Sequence, residues 1–281
     1  MPTGNKKDTA MIIDSHTHIY PDKIAFRASH AIGEYYEMPM EFDGTAENLL
    51  RHGLAAGIDK FVVCSAATTA AQVRPVNQFI AASVAAHSDR FWGYGTAHPD
   101  CTDIPAVVEE IIAAGLVGIK LHGDFQKFLI DSPAAMRIYE ACEGRLPVLL
   151  HSGDYRTEYT KPARVLNIAR TFPKLDIIAA HFGAWSEWGS SAAQLAEAGV
   201  YIDTCSSLYA LKPRFARLLI DTFGVDHVFF GTDYPMWRTG KELEYLHNLP
   251  LTDDERRAIL GENFLRFISK YEKTDGGNNN L

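Results

Sequence analysis

The sequence predicts an α/β protein built as one closed (β/α)8 TIM barrel, and three observations carry that expectation. Short apolar runs rich in β-branched residues alternate with amphipathic stretches, the pattern of βα units and a parallel sheet. The runs number eight, which suits a closed barrel better than an open doubly wound sheet. Gly57, Gly115, Gly199 and Gly224 fall just before runs, where a helix ends in a left-handed cap.

The first run is Met11, Ile12, Ile13 and Asp14, and His16 and His18 follow it. Residues 20–40 are rich in aromatics and too long for a simple βα connection. They are expected to form a lid over the barrel mouth or a contact in a homo-oligomer. Residues 45–56 put Leu49, Leu50 and Leu54 on one side of a helix, and strands two and three are expected at 60–65 and 91–97. A helix over 105–114 gathers Val108, Ile111 and Ile112, ahead of strand four at 118–122. Strands five to eight fall at 147–151, 176–181, 200–204 and 227–232. Pro133, Pro162 and Pro213 suit first helical turns, where a missing N–H is harmless. Residues 262–269 read as a closing helix.

No linker, repeat or low-complexity block interrupts residues 11–272, so one catalytic domain is expected there. A flexible N-terminus, 1–10, and a disordered Gly/Asn-rich tail, 273–281, are expected to flank it. The net charge of −8 argues against a nucleic-acid partner, which calls for a basic face. No apolar run reaches the roughly 18 residues of a membrane span, and the polar start of the chain lacks a signal-peptide core. The four cysteines are scattered with no CxxC pair, so a reducing cytoplasm is the expected setting.

Function is read from the histidines. Residues i and i+2 of a strand share a face, so His16 and His18 present two imidazoles to one point. Six of eleven histidines lie at or just past a strand's C-terminal end: His16, His18, His98, His122, His151 and His181. A lone case is commonly a hydrogen-bonded structural residue, but barrel closure makes neighbours of all six. Asp233 ends the eighth run, where a carboxylate must be solvated, paired, metal-bound or a helix cap. His16, His18, His151 and Asp233 therefore form a candidate set for one divalent ion. Three imidazoles and a carboxylate suit Zn2+, with Mn2+, Fe2+ and Co2+ as alternatives.

The chain resembles the amidohydrolase superfamily in its HxH motif at 14–18, its strand-ending His151 and His181, and Asp233. Ala-His-Phe-Gly at 180–183, Phe-Gly-Thr-Asp-Tyr-Pro at 230–235 and Gly-Glu-Asn-Phe at 261–264 narrow the resemblance. They look like the amidohydrolase-2 branch, which includes enzymes like aminocarboxymuconate-semialdehyde decarboxylase. The resemblance spans about residues 11–270. It implies that His16, His18, His151 and Asp233 bind one divalent metal and that His181 is catalytic or positions water.

Lys120 and His122 are expected to hold an anionic group of the substrate. Lys120 is nearly as well read as the partner of a carboxylate such as Asp14. In other branches a carboxylated lysine on this strand bridges two metals, which leaves a binuclear reading open. His98 and Arg156 are further candidates for substrate contact on the rim, beside Tyr155, Trp185 and Trp188.

The leading expectation is a metal-dependent hydrolase acting on an amide, ester or lactone of a small anionic substrate. There Asp233 takes a proton from the attacking water, and His181 helps polarise the carbonyl. The alternative is a carbon–carbon lyase, a metal-dependent decarboxylase that removes CO2 from a small carboxylate without oxidation. A barrel without catalysis is the third reading, and an open coordination position in the ligand set counts against it.

Overall fold

A computed structural model describes residues 11–272. The expectations for 1–10 and 273–281 lie outside the described residues. Eight strands follow one another around a parallel sheet: β1 (Ile13–His18), β2 (Lys60–Cys64), β3 (Phe91–Gly95), β4 (Gly118–Leu121), β5 (Val148–Leu150), β6 (Ile177–Ala179), β7 (Tyr201–Asp203) and β8 (Val228–Phe229). Each pairs in parallel with the next. Ser15 N donates to Phe230 O at 2.9 Å and His18 N to Tyr234 O at 2.7 Å, which closes β8 onto β1. The fold is a (β/α)8 TIM barrel.

Local chemistry starts and stops the helices around it. The Thr45, Asp103 and Ser132 side chains each accept a backbone N–H of the first turn of the helix that follows. Pro133, Pro162 and Pro213 open their helices. Gly224 ends the helix Pro213–Phe223 at φ +85°, a conformation that penalises a Cβ.

Alternation along the strands divides the core into two layers. Phe61 and Val63 of β2 pack outward against helix residues such as Leu49 and Ile80. Val62 and Cys64 point into the barrel with Trp92, Tyr94, Leu149 and Phe229. The lower end is plugged by the helix Asn263–Ile268, whose Phe264 lies 5.3 Å from Phe229 and 5.9 Å from Trp92, centroid to centroid. With that end filled, the site is left to the C-terminal ends of the strands.

One expectation needs correction, and two gain detail. The first strand runs to His18 instead of stopping at Asp14, because Thr17 and His18 pair with Val63 and Cys64 beyond an irregularity after Asp14. The closing helix is preceded by a wide π-helical turn, Ala258–Glu262, whose Ile259 O accepts Phe230 N and so carries β8. Residues 20–40 contain a regular helix, Asp22–Tyr36, lying over the mouth.

Candidate metal centre

The floor of the mouth brings His16, His18 and Asp233 together. His16 Nε2 and His18 Nε2 are 3.1 Å apart, and Asp233 Oδ1 lies 3.7 Å from the first and 3.4 Å from the second. Ligands about 2.0–2.1 Å from one tetrahedral ion stand about 3.4 Å apart. The three donors already have the spacing of a shared ion.

The backbone holds these groups in unusual conformations. His181 and Asp233 have φ of +63° and +59°, a region costly for residues with a Cβ. Asp233 N donates to His16 O at 2.9 Å, and His181 N donates to Asp203 Oδ1 at 2.8 Å, so each turn is tied to a neighbouring strand end.

Asp203 also settles the His16 tautomer. Its Oδ2 lies 2.8 Å from His16 Nδ1, so that nitrogen carries the proton and the Nε2 lone pair faces Asp233. Burial alone would raise the Asp203 pKa, but the charge and hydrogen bond of His16 hold it at about 2. His16 itself is pushed down to about 4 by burial and by the Lys120 ammonium, which leaves a neutral imidazole. His18 moves the other way: burial opposes its charge, yet the Cys64 sulfur and the Asp233 carboxylate hold it up at about 9. Asp233 is held well below the usual range, since its His18 hydrogen bond and the neighbouring His16 and His181 outweigh burial. Ser206 Oγ donates to Asp233 Oδ2 at 2.5 Å and accepts Trp237 Nε1–H at 2.8 Å.

His151 stands slightly apart from the other candidate ligands. Its Nδ1 is 2.9 Å from His181 Nε2, and its buried Nε2 has no hydrogen-bond partner and lies 3.8 Å from Asp124 Oδ2. His122 stacks on it with centroids 3.9 Å apart and planes 8° from parallel. His122 Nδ1 is likewise buried without a partner, while its Nε2 meets Tyr36 Oη at 3.2 Å. Unpaired buried nitrogens are expensive unless a ligand or ion completes them. The donors of His122, Asp124 and His151 lie within 4.8 Å of one another, a second grouping fit for a cation. Histidine-rich donors, a fixed lone pair and orphaned nitrogens all fit a divalent metal.

Lys120 is fully buried, with Nζ 3.0 Å from His16 Nε2. Asp14, weighed as its carboxylate partner, is instead satisfied by Thr232 N at 2.9 Å and Thr232 Oγ1 at 2.6 Å. Two other candidates are engaged behind the wall. His98 meets Gln126 O at 3.3 Å and accepts Asp100 N–H at 3.2 Å, and it does not line the cavity. Arg156 also lies outside the lining. It clamps Asp154 with two nitrogens, donates to Tyr35 O at 3.0 Å and sits over the Tyr35, Tyr36 and Trp185 rings. It fastens the end of the helix Asp22–Tyr36 to the rim.

Sequence reasoning missed Asp203, Cys205 and Tyr36. Asp203 ends an apolar run as Asp233 does, so the criterion that found one would have found the other. Cys205 Sγ lies 3.1 Å from both His16 Nδ1 and His181 Nδ1, but an isolated buried thiol carries no sequence signal. Tyr36 reaches the site only because its helix folds back over the mouth.

The family model described as Amidohydrolase matches residues 13–268, and the chain belongs to that family. Solved structures with the same fold include decarboxylases. 5-Carboxyvanillate decarboxylase from Sphingomonas paucimobilis is 17% identical, with TM-score 0.69, over 93% of this chain and 99% of that one. A dihydroxybenzoic acid decarboxylase from Polaromonas sp. JS666, solved with bound manganese, is 15% identical, with TM-score 0.71, over 92% and 97%. An uncharacterized TIM-barrel protein from Bordetella bronchiseptica is 20% identical, with TM-score 0.76, over 93% and 99%. No curated protein matches the sequence.

Proposed function

We propose that the chain is a divalent-metal-dependent decarboxylase, a carbon–carbon lyase that removes CO2 from a carboxylic acid without oxidation. This reverses the order expected from sequence, where hydrolysis led. The observation that carries it is the single cavity floor on which Lys120 Nζ stands 3.0 Å from His16 Nε2, beside the His18 and Asp233 donors. Such a floor offers ligands for a cation and a fixed positive charge for an acid. The decarboxylase structures with the same fold support the reading, one of them holding manganese.

His16, His18 and Asp233 would hold the ion, while His151, whose unpaired Nε2 lies 3.8 Å from Asp124 Oδ2, falls with His122 and Asp124 in the second donor grouping. A bound divalent ion supplies Lewis-acid polarisation of substrate oxygens. Lys120 and His122 take the carboxylate and an adjacent oxygen by charge-assisted contacts, which their burial strengthens. The bond from carbon to the carboxylate breaks, CO2 leaves, and the electron pair stays on carbon. That carbon then takes a proton from water, which His181 and the Asp233 carboxylate would position beside it.

One observation favours hydrolysis as the second reading: Asp233 stays ionised across neutral pH and is therefore ready to accept a proton from water. The two courses separate in one assay. Protein loaded with Mn2+ or Zn2+ is offered hydroxybenzoates and unsaturated carboxylates, and CO2 release is followed. Asp233→Asn is expected to lower the rate by about 10²–10⁴-fold with an unchanged circular dichroism spectrum. Ester, amide or lactone cleavage with no CO2 from any acid would move the assignment to a hydrolase.

A further inference from the structure

The cavity above the metal centre is larger than the chemistry on its floor requires. It measures about 680 Å³, inside the roughly 300–1,000 Å³ that encloses a drug-sized ligand. The titratable groups gather at one end, and Asp233 is the only acidic residue in the lining, against Lys120, Lys127 and four histidines. A chain with net charge −8 thus keeps its mouth suited to an anion.

Beyond the floor the walls are apolar and belong to two helices. Ile24, Ala28 and Ile32 recur at intervals of four along the helix Asp22–Tyr36, so they share one face. On the helix Ala70–Ala86, Phe79 stands three and four residues after Val76 and Pro75, so these three also share a face. Both faces line the cavity: Ile24 remains 39% exposed and Ile32 is half-buried, while Val76 and Phe79 pack partly against the core and give their remaining surface to the cavity. Uncovered apolar side chains at a cavity mouth mark a place where something apolar sits. Gln72 and Lys127 form the polar outer lip.

We infer that the substrate is an amphiphilic acid: an anionic head on the metal floor and an apolar body, larger than one ring, in the groove between these helices. A single-ring acid would occupy the floor and leave both apolar faces in water. The groove is continuous with the floor, so head and body belong to one molecule. The inference rests on the proposed function for the identity of the head, and on the groove alone for the body.

The test measures binding, so it needs no turnover. Mn2+-loaded full-length protein is titrated calorimetrically with butanoate, octanoate and dodecanoate below their micellar concentrations, and with benzoate, 2-naphthoate and biphenyl-4-carboxylate. Affinity is expected to rise about fourfold for each methylene the groove buries, so burial of about three to four of the roughly eight added from butanoate to dodecanoate gives on the order of a hundredfold. Ile32→Asp and, independently, Val76→Asp are expected to collapse that ratio.

Equal affinity along both series, or a ratio that neither variant changes, overturns the inference. So does sedimentation showing a dimer that Ile32→Asp dissociates, because a second copy would then cover the groove. Failure to take up Mn2+ would defeat the functional reading. A persisting chain-length ratio would then still support the apolar body, and loss of dodecanoate binding as well would defeat both.

Discussion

His16 owes its readiness to bind a cation to a residue that never touches one. Asp203 Oδ2 fixes the proton on His16 Nδ1 and aims Nε2 at the floor. Replacing Asp203 by Asn keeps the shape and removes the charge. Metal affinity, measured by competition with a chromophoric chelator, is expected to fall about 10–100-fold. An unchanged affinity would make Asp203 a packing residue. That His16, His18 and Asp233 share the barrel floor was legible in sequence, because each ends an apolar strand and barrel closure makes such ends neighbours. His98, which met the strand-end criterion, and Arg156, read as a rim-loop residue, are instead bound to Gln126 and Asp154 away from the cavity. Position on the chain cannot tell which way a rim side chain turns.

Elements outside the barrel set its stability, and their ends were written in capping residues. Thr252 and Glu255 form a capping box at the helix Asp253–Arg257, and both Glu255 oxygens accept from Arg217 at 2.8 Å. The Arg217 and Thr252 hydrogen bonds hold Glu255 at about 2. Its folded pKa is below the unfolded one, so its stabilisation is present above about pH 4.3. That stabilisation fades as pH falls toward about 2. Glu255→Gln is expected to lower stability at pH 7 by about 0.5–1 kcal/mol, as partly exposed pairs and caps do. Urea midpoints of the two proteins should converge near pH 2, and a constant gap would refute the charge as cause. The helix Asp22–Tyr36 was less legible. Its aromatic composition marked a covering segment but could not reveal that Arg156 pins its end over Tyr35 and Tyr36.

The whole molecule depends on one close approach at its base. A Cβ on Gly261 would stand 2.0 Å from Met11 O, where the π-helical turn crosses the start of β1. Gly261→Ala is expected to destabilise by about 1–3 kcal/mol, the ordinary range for overpacking. A thermal midpoint within a degree of wild type would show that the turn yields freely. Binding of a metal to the native state alone adds a second global term. Ion at 100 times its Kd should stabilise by about 2.7 kcal/mol, roughly 5–11 °C for a chain of this size. A chelator should reverse the shift, and equal midpoints with and without ion would remove the metal centre.

The sequence by itself determined the barrel and the order of its strands, and it placed His16, His18 and Asp233 at strand ends. Periodicity is local, and a strand-ending polar residue is visible without its neighbours. Only the tertiary structure decided that His151 pairs with His181, that Lys120 abuts His16 and that two apolar helix faces flank the mouth. Those relations join residues up to about a hundred positions apart. They are set by barrel closure and side-chain direction, which no window of sequence contains.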